Sequence, residues 1–450
     1  MTEQYLTVAE VRDFLSKHRG LEWIDIVMFD LNGQARGKRY RPAEVEGLAD
    51  KGIMVPSTVY ILDARGNCVE ETGRLWETGD PDLLFRILAG TLAPSTANGA
   101  KRAQAVMVPV EDEGGLDPRR ILQRQVSELA KIGGTPVTAV ELEFYVTKRG
   151  KNGGFTLETP DASADDSDFS RLYQFSEIDA LKPFIDDIYN ICEAQNLPVG
   201  AILQEAGPSQ FEINLNHRAD AVAAALDGLL LKRAVKSAAE AHGLVATFMA
   251  KPHHDWSGNG MHIHASLIDS AGKNLFAGDP ISQTFRYALG GLQSTMPEYM
   301  GVWAQTANAY RRYVPKSYVA MSAHWGHNNR NVALRIPRSS ANATRVEHRV
   351  AGADANPYLV IAAILAGIRH GIVNKIEPGP MAEGAATNCE APELPTAWVN
   401  ALKIFAKSAI VRDAFGPAFH DCYYTIKNAE RVEFERTVTA LDYQWYAEVA

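Results

Sequence analysis

The run VELEFYV, from Val140 to Val146, alternates apolar residues with acidic or polar ones, one for one. Side chains along a strand point to opposite faces with a period of two, so Val140, Leu142, Phe144 and Val146 share one face while Glu141 and Glu143 share the other. The two carboxylates then stand ~7 Å apart, two residues at ~3.3 Å each, a spacing that suits adjacent sites for hard cations. Taken alone, one such strand is more simply a solvated face with unrelated acids. The pattern recurs, and recurrence weakens that reading. In QFEINL, Phe211, Ile213 and Leu215 oppose Gln210, Glu212 and Asn214, with Glu205 just upstream. In GMHIHASL, Met261, Ile263, Ala265 and Leu267 oppose His262, His264 and Ser266. In RVEHRV, Arg345, Glu347 and Arg349 line one face against Val346 and Val350, and in NRNVALRIP the set Asn331, Ala333 and Arg335 opposes Val332 and Leu334.

Several strands that present carboxylate, imidazole and guanidinium on one face describe a concave polar site with apolar backing. A donor set rich in carboxylates argues for Mg²⁺ or Mn²⁺ and against structural zinc. The arginines imply an anionic substrate, because guanidinium forks match carboxylate and phosphate oxygens. Divalent metal with arginine is the usual equipment of phosphoryl transfer. No GxxxxGKS loop or GxGxxG turn occurs, which disfavours P-loop and Rossmann nucleotide sites. Basic residues number 45 against 54 acidic ones, a net charge of −9 that disfavours nucleic acid and anionic membrane as partners.

At 450 residues the chain has room for two or three domains. Up to about residue 110 it reads as a small, mostly β domain with one leading helix. Trp23 to Tyr40 reads as a hairpin around Asn32-Gly33, a dipeptide favoured in tight type I′ turns, and Val55 to Asp63 as a further β-rich run. At Asp117-Pro118 the pattern turns helical, with Ile121, Leu122, Val126, Leu129 and Ile132 on a buried face. Helices then alternate with short strands, and one of them starts at Asn356 as N-cap with Pro357 in its first position. The stretches Gly150 to Ser167 and Glu377 to Pro395 read as exposed loops. Cys68, Cys192, Cys389 and Cys422 are widely spread without a CxxC pair, which indicates neither a zinc cluster nor a disulfide framework. With an N-terminus unlike a signal peptide and an apolar run, Leu359 to Ile368, too short to span a bilayer, a cytoplasmic protein is expected.

The strings ELEFYV, EAGPSQFE, GNGMHIHAS, NNRNVALRIP and RVEHRVAGADANPYL together resemble, in order and spacing, the signature segments of the glutamine synthetase family, and most nearly its γ-glutamylpolyamine branch. The resemblance implies an α+β fold. Residues 1–112 would form an N-terminal β-grasp domain, and residues 113–450 a larger catalytic domain whose antiparallel sheet forms a funnel surrounded by helices. It also implies a homo-oligomer, a six-membered ring with active sites between subunits, stacked in some members to twelve. Carried over by position, Glu143, Glu205 and Glu212 resemble ligands of the metal nearer the amino acid, and Glu141, His262 and Glu347 those of the metal that bridges the ATP phosphates. Arg312, with Gly258 beside it, matches the arginine that holds glutamate. His264, Arg330 and Arg349 match positions around the transferred phosphoryl group, and Ser266, Arg335 and Arg345 match nucleotide contacts. The implied reaction uses ATP to form γ-glutamyl phosphate, which an amine then converts to an amide.

Two departures bear on the amine. Ammonia-using members carry an acid six positions after the glutamate-binding arginine, where this chain has Tyr318, and a second acid in the small domain, after the glycine equivalent to Gly52, where it has Pro56. Losing both carboxylates removes a pocket for NH₄⁺ and offers apolar and cation–π surface to a carbon-bearing amine. The expected activity is therefore ligation of glutamate to a polyamine such as putrescine or spermidine. The alternatives are a ligase for ethanolamine or for a bulky or aromatic monoamine, an ammonia-using synthetase, and a non-catalytic ring scaffold. Ser257 replaces the family asparagine that touches glutamate, and the loop from Glu377 to Pro395 has no tyrosine for adenylylation.

Overall fold

The computed structural model describes residues 3–95, 101–111, 114–151, 154–160, 170–315, 317–386 and 389–450. Positions 112 and 113, where the domain boundary is expected, lie outside them, as do 152–153 and 161–169 of the first expected loop and 387–388 of the second.

The N-terminal part forms a six-stranded sheet from β1 (Trp23–Phe29), β2 (Ala35–Tyr40), β3 (Ile53–Pro56), β4 (Asp82–Ile87), β5 (Ala93–Pro94) and β6 (Arg102–Pro109). Its main order is β2-β1-β6-β4-β3; β1 and β6 run parallel and the other neighbours antiparallel. The expected hairpin is β1–β2, but its turn is not the two-residue type I′. Asp30 N–H donates to Gln34 O at 3.0 Å, and only Gly33 takes a positive φ (72°), so the loop is the longer kind that ends in a left-handed glycine. The Asp30 carboxylate fixes it by accepting from the N–H groups of Asn32 and Gln34.

The run from Val55 to Asp63 is mostly not a strand. β3 stops at Pro56, which has no N–H to donate, and Ser57–Ile61 winds into a 3₁₀ turn. Asp80 holds that turn, accepting from Thr58 N–H at 2.9 Å and Thr58 Oγ1 at 3.0 Å. Two α-helices, Val8–Lys17 and Val45–Lys51, accompany this sheet in place of the single one expected.

The second sheet has eight strands, β7 (Thr135–Lys148), β8 (Val199–Gln204), β9 (Gln210–Leu215), β10 (Leu244–Thr247), β11 (Met261–Ile268), β12 (Trp325–His327), β13 (Leu334–Ile336) and β14 (Val346–His348). Its order is β12-β13-β14-β11-β7-β9-β8, with β10 also on β7. All neighbours are antiparallel except β12 and β13, which are parallel. The strand expected over NRNVALRIP is shorter: Asn331 precedes it and bonds Gly384 O instead of sharing a sheet face with Arg335.

Val140, Leu142, Phe144 and Val146 are fully buried, as the alternation requires. Behind them lies the helix Ala221–Ala241, where Gly228 allows close approach: a Cβ there would stand 3.4 Å from Val140. The helix Pro118–Lys131 starts as expected with Asp117 capping Arg119 N–H, but it ends before Ile132, which is 40% exposed. Gly133, at φ 81°, turns the chain there, and Gly134 N–H bonds back to Leu129 O. The helix Pro357–Asn374, capped by Asn356, is apolar enough to cross a membrane by length and composition, yet it is largely buried against the helices Gln283–Trp303 and Pro118–Lys131. The loop from Glu377 to Pro395 is exposed along much of its length but tied down by Ala382 N–H to Trp325 O and Leu394 N–H to Met321 O.

Candidate active site

Strand register assembles the polar face. Glu141 faces Asn214 of β9 and His262 of β11; Glu143 faces Glu212; His264 faces Glu347 of β14, which in turn faces Arg335 of β13. Directly opposed residues have Cβ atoms ~5 Å apart, so a hydrophobic back fixed by alternation forces these side chains together in front. Two groups result whose donor atoms lie within 4.8 Å of one another: Glu141, His262 and Glu347, and Glu143, Glu212 and His262. The first is the trio expected to hold the metal that bridges the ATP phosphates. In the second, His262 joins Glu143 and Glu212, while Glu205, in the turn between β8 and β9, lies outside that group and adds its charge to Glu212.

Hydrogen bonds orient these groups. Glu141 Oε1 accepts from His264 Nε2 at 2.8 Å and from Asn214 Nδ2 at 3.0 Å, and its Oε2 lies 3.3 Å from His262 Nδ1. Arg345 Nε donates to His264 Nδ1 at 3.0 Å, which leaves the ring proton on Nε2, facing Glu141. Glu143 Oε2 accepts from Gly260 N–H at 2.7 Å. Glu347 is buried between Arg335 Nη1, at 2.5 Å, and Arg349 Nη1, which also bonds it.

The carboxylates divide electrostatically into two kinds. Burial works to raise Glu141, but hydrogen bonds from His262 and His264 hold it well below the usual range. Burial likewise opposes ionisation of Glu347, and the charges of His262 and Arg349 bring it down to about 2. Glu205 is pushed up to about 7 by burial and the Glu143 charge, against the pull of Arg330 and Arg349. Glu212 is pushed up to about 9 by burial and by Glu141, Glu143 and Glu205. A cluster of mutually repelling carboxylates with one imidazole, walled by low-dielectric backing, fits a hard divalent cation.

Arg312, on a 3₁₀ turn (Ala309–Arg312), is buried beside this cluster and donates to Val350 O at 3.0 Å. Gly258 lies directly on it, since a Cβ there would stand 2.8 Å from Arg312 Cγ. Gly260 brings three groups together: its Cβ would stand 3.1 Å from His262 Nε2, 3.2 Å from Arg312 Nη2 and 3.4 Å from Glu143 Oε1. The scaffold under both glycines was not among the candidate residues: Gln210 Nε2 donates to Gly258 O and Asn259 Oδ1, and Asn259 Nδ2 to Met249 O. The one signal in the sequence was the placement of Gln210 on the polar face of its strand.

At the other end of β11, Ser266, His264 and Arg345 line a cavity of about 690 Å³ with Glu141. Arg335 is held outside its wall by Glu347 and by Asn328 Oδ1 at 2.9 Å. Arg330 is exposed in the loop before β13. Tyr318 is exposed at 71%, and Pro56 is exposed on the separate N-terminal sheet, opposite Asp82. Pro56 thus lies on a different sheet from the residues gathered on the polar face.

An α+β chain with this carboxylate, histidine and arginine face belongs to the glutamine synthetase family: the glutamine synthetase catalytic domain matches residues 115–446. Among its relatives, γ-glutamylputrescine synthetase of Escherichia coli is 38% identical over 97% of this chain and 94% of its own length. Glutamate–isopropylamine ligase of a Pseudomonas species is 30% identical over 93% of each chain. The solved structure of GmaS in complex with ADP superposes with a TM-score of 0.84 at 25% identity, covering 97% of this chain and 99% of the other.

Proposed function

We propose that this chain is an ATP-dependent ligase that joins the γ-carboxylate of glutamate to a carbon-bearing primary amine, with a polyamine such as putrescine as the preferred acceptor. The observation that carries the reading is the convergence of Glu141, Glu143, Glu212 and Glu347 with buried Arg312 and Arg349 on one sheet face. A free carboxylate resists attack by an amine because its oxygen is a poor leaving group. Transfer of the ATP γ-phosphoryl group gives γ-glutamyl phosphate, and amine attack then releases phosphate and forms the amide. Glu141, His262 and Glu347 would hold one divalent ion, Mg²⁺ or Mn²⁺, and Glu143, Glu205 and Glu212 a second. Such ions supply neutralisation of phosphate charge. Arg312, with Gly258, anchors the α-carboxylate of glutamate. His264, Arg330 and Arg349 surround the migrating phosphoryl group, and Ser266 and Arg345 serve the nucleotide, whose place is the cavity beside Glu141, while Arg335 serves it from outside that cavity's wall, where it holds Glu347.

The amine assignment rests on the named activities of the two amine-ligating relatives and on Tyr318 and Pro56, which offer no carboxylate to NH₄⁺. In this reading residues 1–112 are a β-grasp domain, and the sheet of residues 113–450 forms the wall of a funnel. Pro56 lies on the N-terminal sheet and Tyr318 is exposed on the catalytic part, which suits a ring in which the N-terminal domain of one subunit completes the site of its neighbour. The exposed C-terminal residues Leu441, Tyr443, Trp445 and Val449 offer further surface for stacking rings in the cytoplasm. The test is phosphate release from ATP with glutamate, scanned over ammonium, putrescine, spermidine, ethanolamine and isopropylamine. Release that needs both glutamate and a carbon-bearing amine, and that Arg349→Ala reduces at least 100-fold, supports the reading. Release that no amine stimulates would leave the scaffold reading.

A further inference from the structure

On the helix Ala221–Ala241, the cations Lys232, Arg233 and Lys236 point away from the catalytic face, into two adjoining cavities against the N-terminal sheet. The larger cavity measures about 530 Å³ and the smaller about 250 Å³; Arg233 and Lys236 line both. In the larger one Asp354 is the single acidic residue of the lining, and its carboxylate already accepts from Thr306 Oγ1 at 2.7 Å. Lys232 Nζ donates to Ala355 O at 2.9 Å, and Arg233 Nε to Gln104 Oε1 at 2.9 Å. Lys236 makes no hydrogen bond or ion pair among the described residues; its ammonium stands 6.0 Å over the Phe248 ring, with that of Lys232 at 5.8 Å. Arg233 Nη2 also stands 3.9 Å from Asp25 Oδ2, and Asp25 and Glu240 line the smaller cavity, but in the larger one three cations on one wall face a single carboxylate, a concave field of net positive sign. Burial lowers the ammonium group of Lys232, with Asp354 opposing and Lys236 adding repulsion.

We propose that this cavity binds a small anion bearing phosphate or carboxylate groups, held by Lys232, Arg233 and Lys236 at a site separate from the ligase centre. Its size is that of a metabolite pocket, and Phe248 and Phe29 give an apolar floor to an organic body. The cavity lies at the joint between the two sheets. Gln305 Nε2 donates both to Asn32 O of the hairpin and to Asp354 O, so an occupant would brace the N-terminal sheet on the catalytic part. Asp354 also connects the cavity to the glutamate side, because a Cβ on Gly352 would stand 2.5 Å from Asp354 Oδ1 and 3.6 Å from Arg312 Nη1. Occupancy is therefore expected to shift the KM for glutamate and to leave that for ATP unchanged.

The test is calorimetric titration of the full-length protein with inorganic phosphate and, separately, with succinate. Wild type is compared with Lys236→Ala, Lys236→Arg and Arg330→Ala. Expected is one saturable event per chain with at least one probe, weakened at least tenfold in Lys236→Ala and retained in Lys236→Arg and Arg330→Ala. Saturation by phosphate alone assigns a phosphate ligand, and by succinate alone a carboxylate. Lys236 is exposed, so its variants should unfold thermally like wild type when no anion is present. Absence of saturable binding by either probe overturns the proposal, as does loss in Arg330→Ala with Lys236→Ala unaffected.

Discussion

Replacing Glu212 by glutamine separates what the carboxylate cluster does for the fold from what it does for the reaction. Glu212 and Glu143 are directly opposed across β9 and β7, and Glu141 and Glu205 add charge of the same sign. Two unit charges ~5 Å apart at an effective dielectric near 20 repel by about 3 kcal/mol. The metal-free wild type must bear that repulsion or take up a proton to avoid it. Glutamine has nearly the same shape and no charge, so Glu212→Gln relieves the strain. The metal-free variant should therefore be as stable as wild type or more so, by up to about 3 kcal/mol, although a buried ionisable group has been changed. Glutamine is also a much weaker ligand, so the variant should lose most of the stabilisation that Mn²⁺ gives wild type, and amide formation should fall at least 1000-fold, about 4 kcal/mol in the barrier. The assay is thermal unfolding in chelator and across an Mn²⁺ titration, paired with phosphate release. A metal-free variant less stable than wild type, combined with an unchanged response to Mn²⁺, would show that Glu212 is a structural carboxylate and refute the reasoning.

Other perturbations address single contacts. Arg312→Ala should raise the KM for glutamate by roughly 10- to 100-fold, the equivalent of a charge-assisted hydrogen bond of about 1.5–3 kcal/mol, and steady-state kinetics should show the KM for ATP almost unmoved. Phe144→Ala, in the apolar layer behind the site, removes a ring packed 6.0 Å from that of Phe211 and 5.4 Å from that of Phe248, and should cost about 3–5 kcal/mol in denaturant unfolding. Lys232 is held at about 7 against an ordinary 10.5. The unfolded chain binds its proton more tightly, so this residue costs stability at and below neutral pH, a cost removed as pH rises from about 7 towards 10.5. Stability curves of wild type and Lys232→Met should accordingly converge with rising pH over that window; a difference independent of pH would contradict the assignment.

How far the site could be read from the chain follows from what kind of geometry each part obeys. Alternation along a strand is covalent in origin, so the faces of β7, β9 and β11 were legible residue by residue, down to the buried row Val140, Leu142, Phe144 and Val146. Which residue meets which across strands depends on register, and register is set by packing of the whole sheet. His262 therefore proved to stand between two carboxylate groups where one was expected. Local competition also escaped the reading. The Asp80 carboxylate converts Ser57–Ile61 from an expected strand into a turn, and it is 22 residues from Thr58, which it caps. The support under Gly258 and Gly260 comes from Gln210 and Asn259, which are brought together from different strands and loops and have no signature of their own.

The central claim is that the acceptor is a carbon-bearing amine, and direct competition tests it. With ATP, glutamate and divalent metal in excess, ammonium and putrescine are supplied at equal concentration and the products resolved by mass. The account predicts γ-glutamylputrescine as the dominant product, with glutamine rising relative to it in Tyr318→Glu, where one carboxylate is restored beside the acceptor. Glutamine as the dominant product of the wild type would contradict the account and make this chain an ammonia-using synthetase.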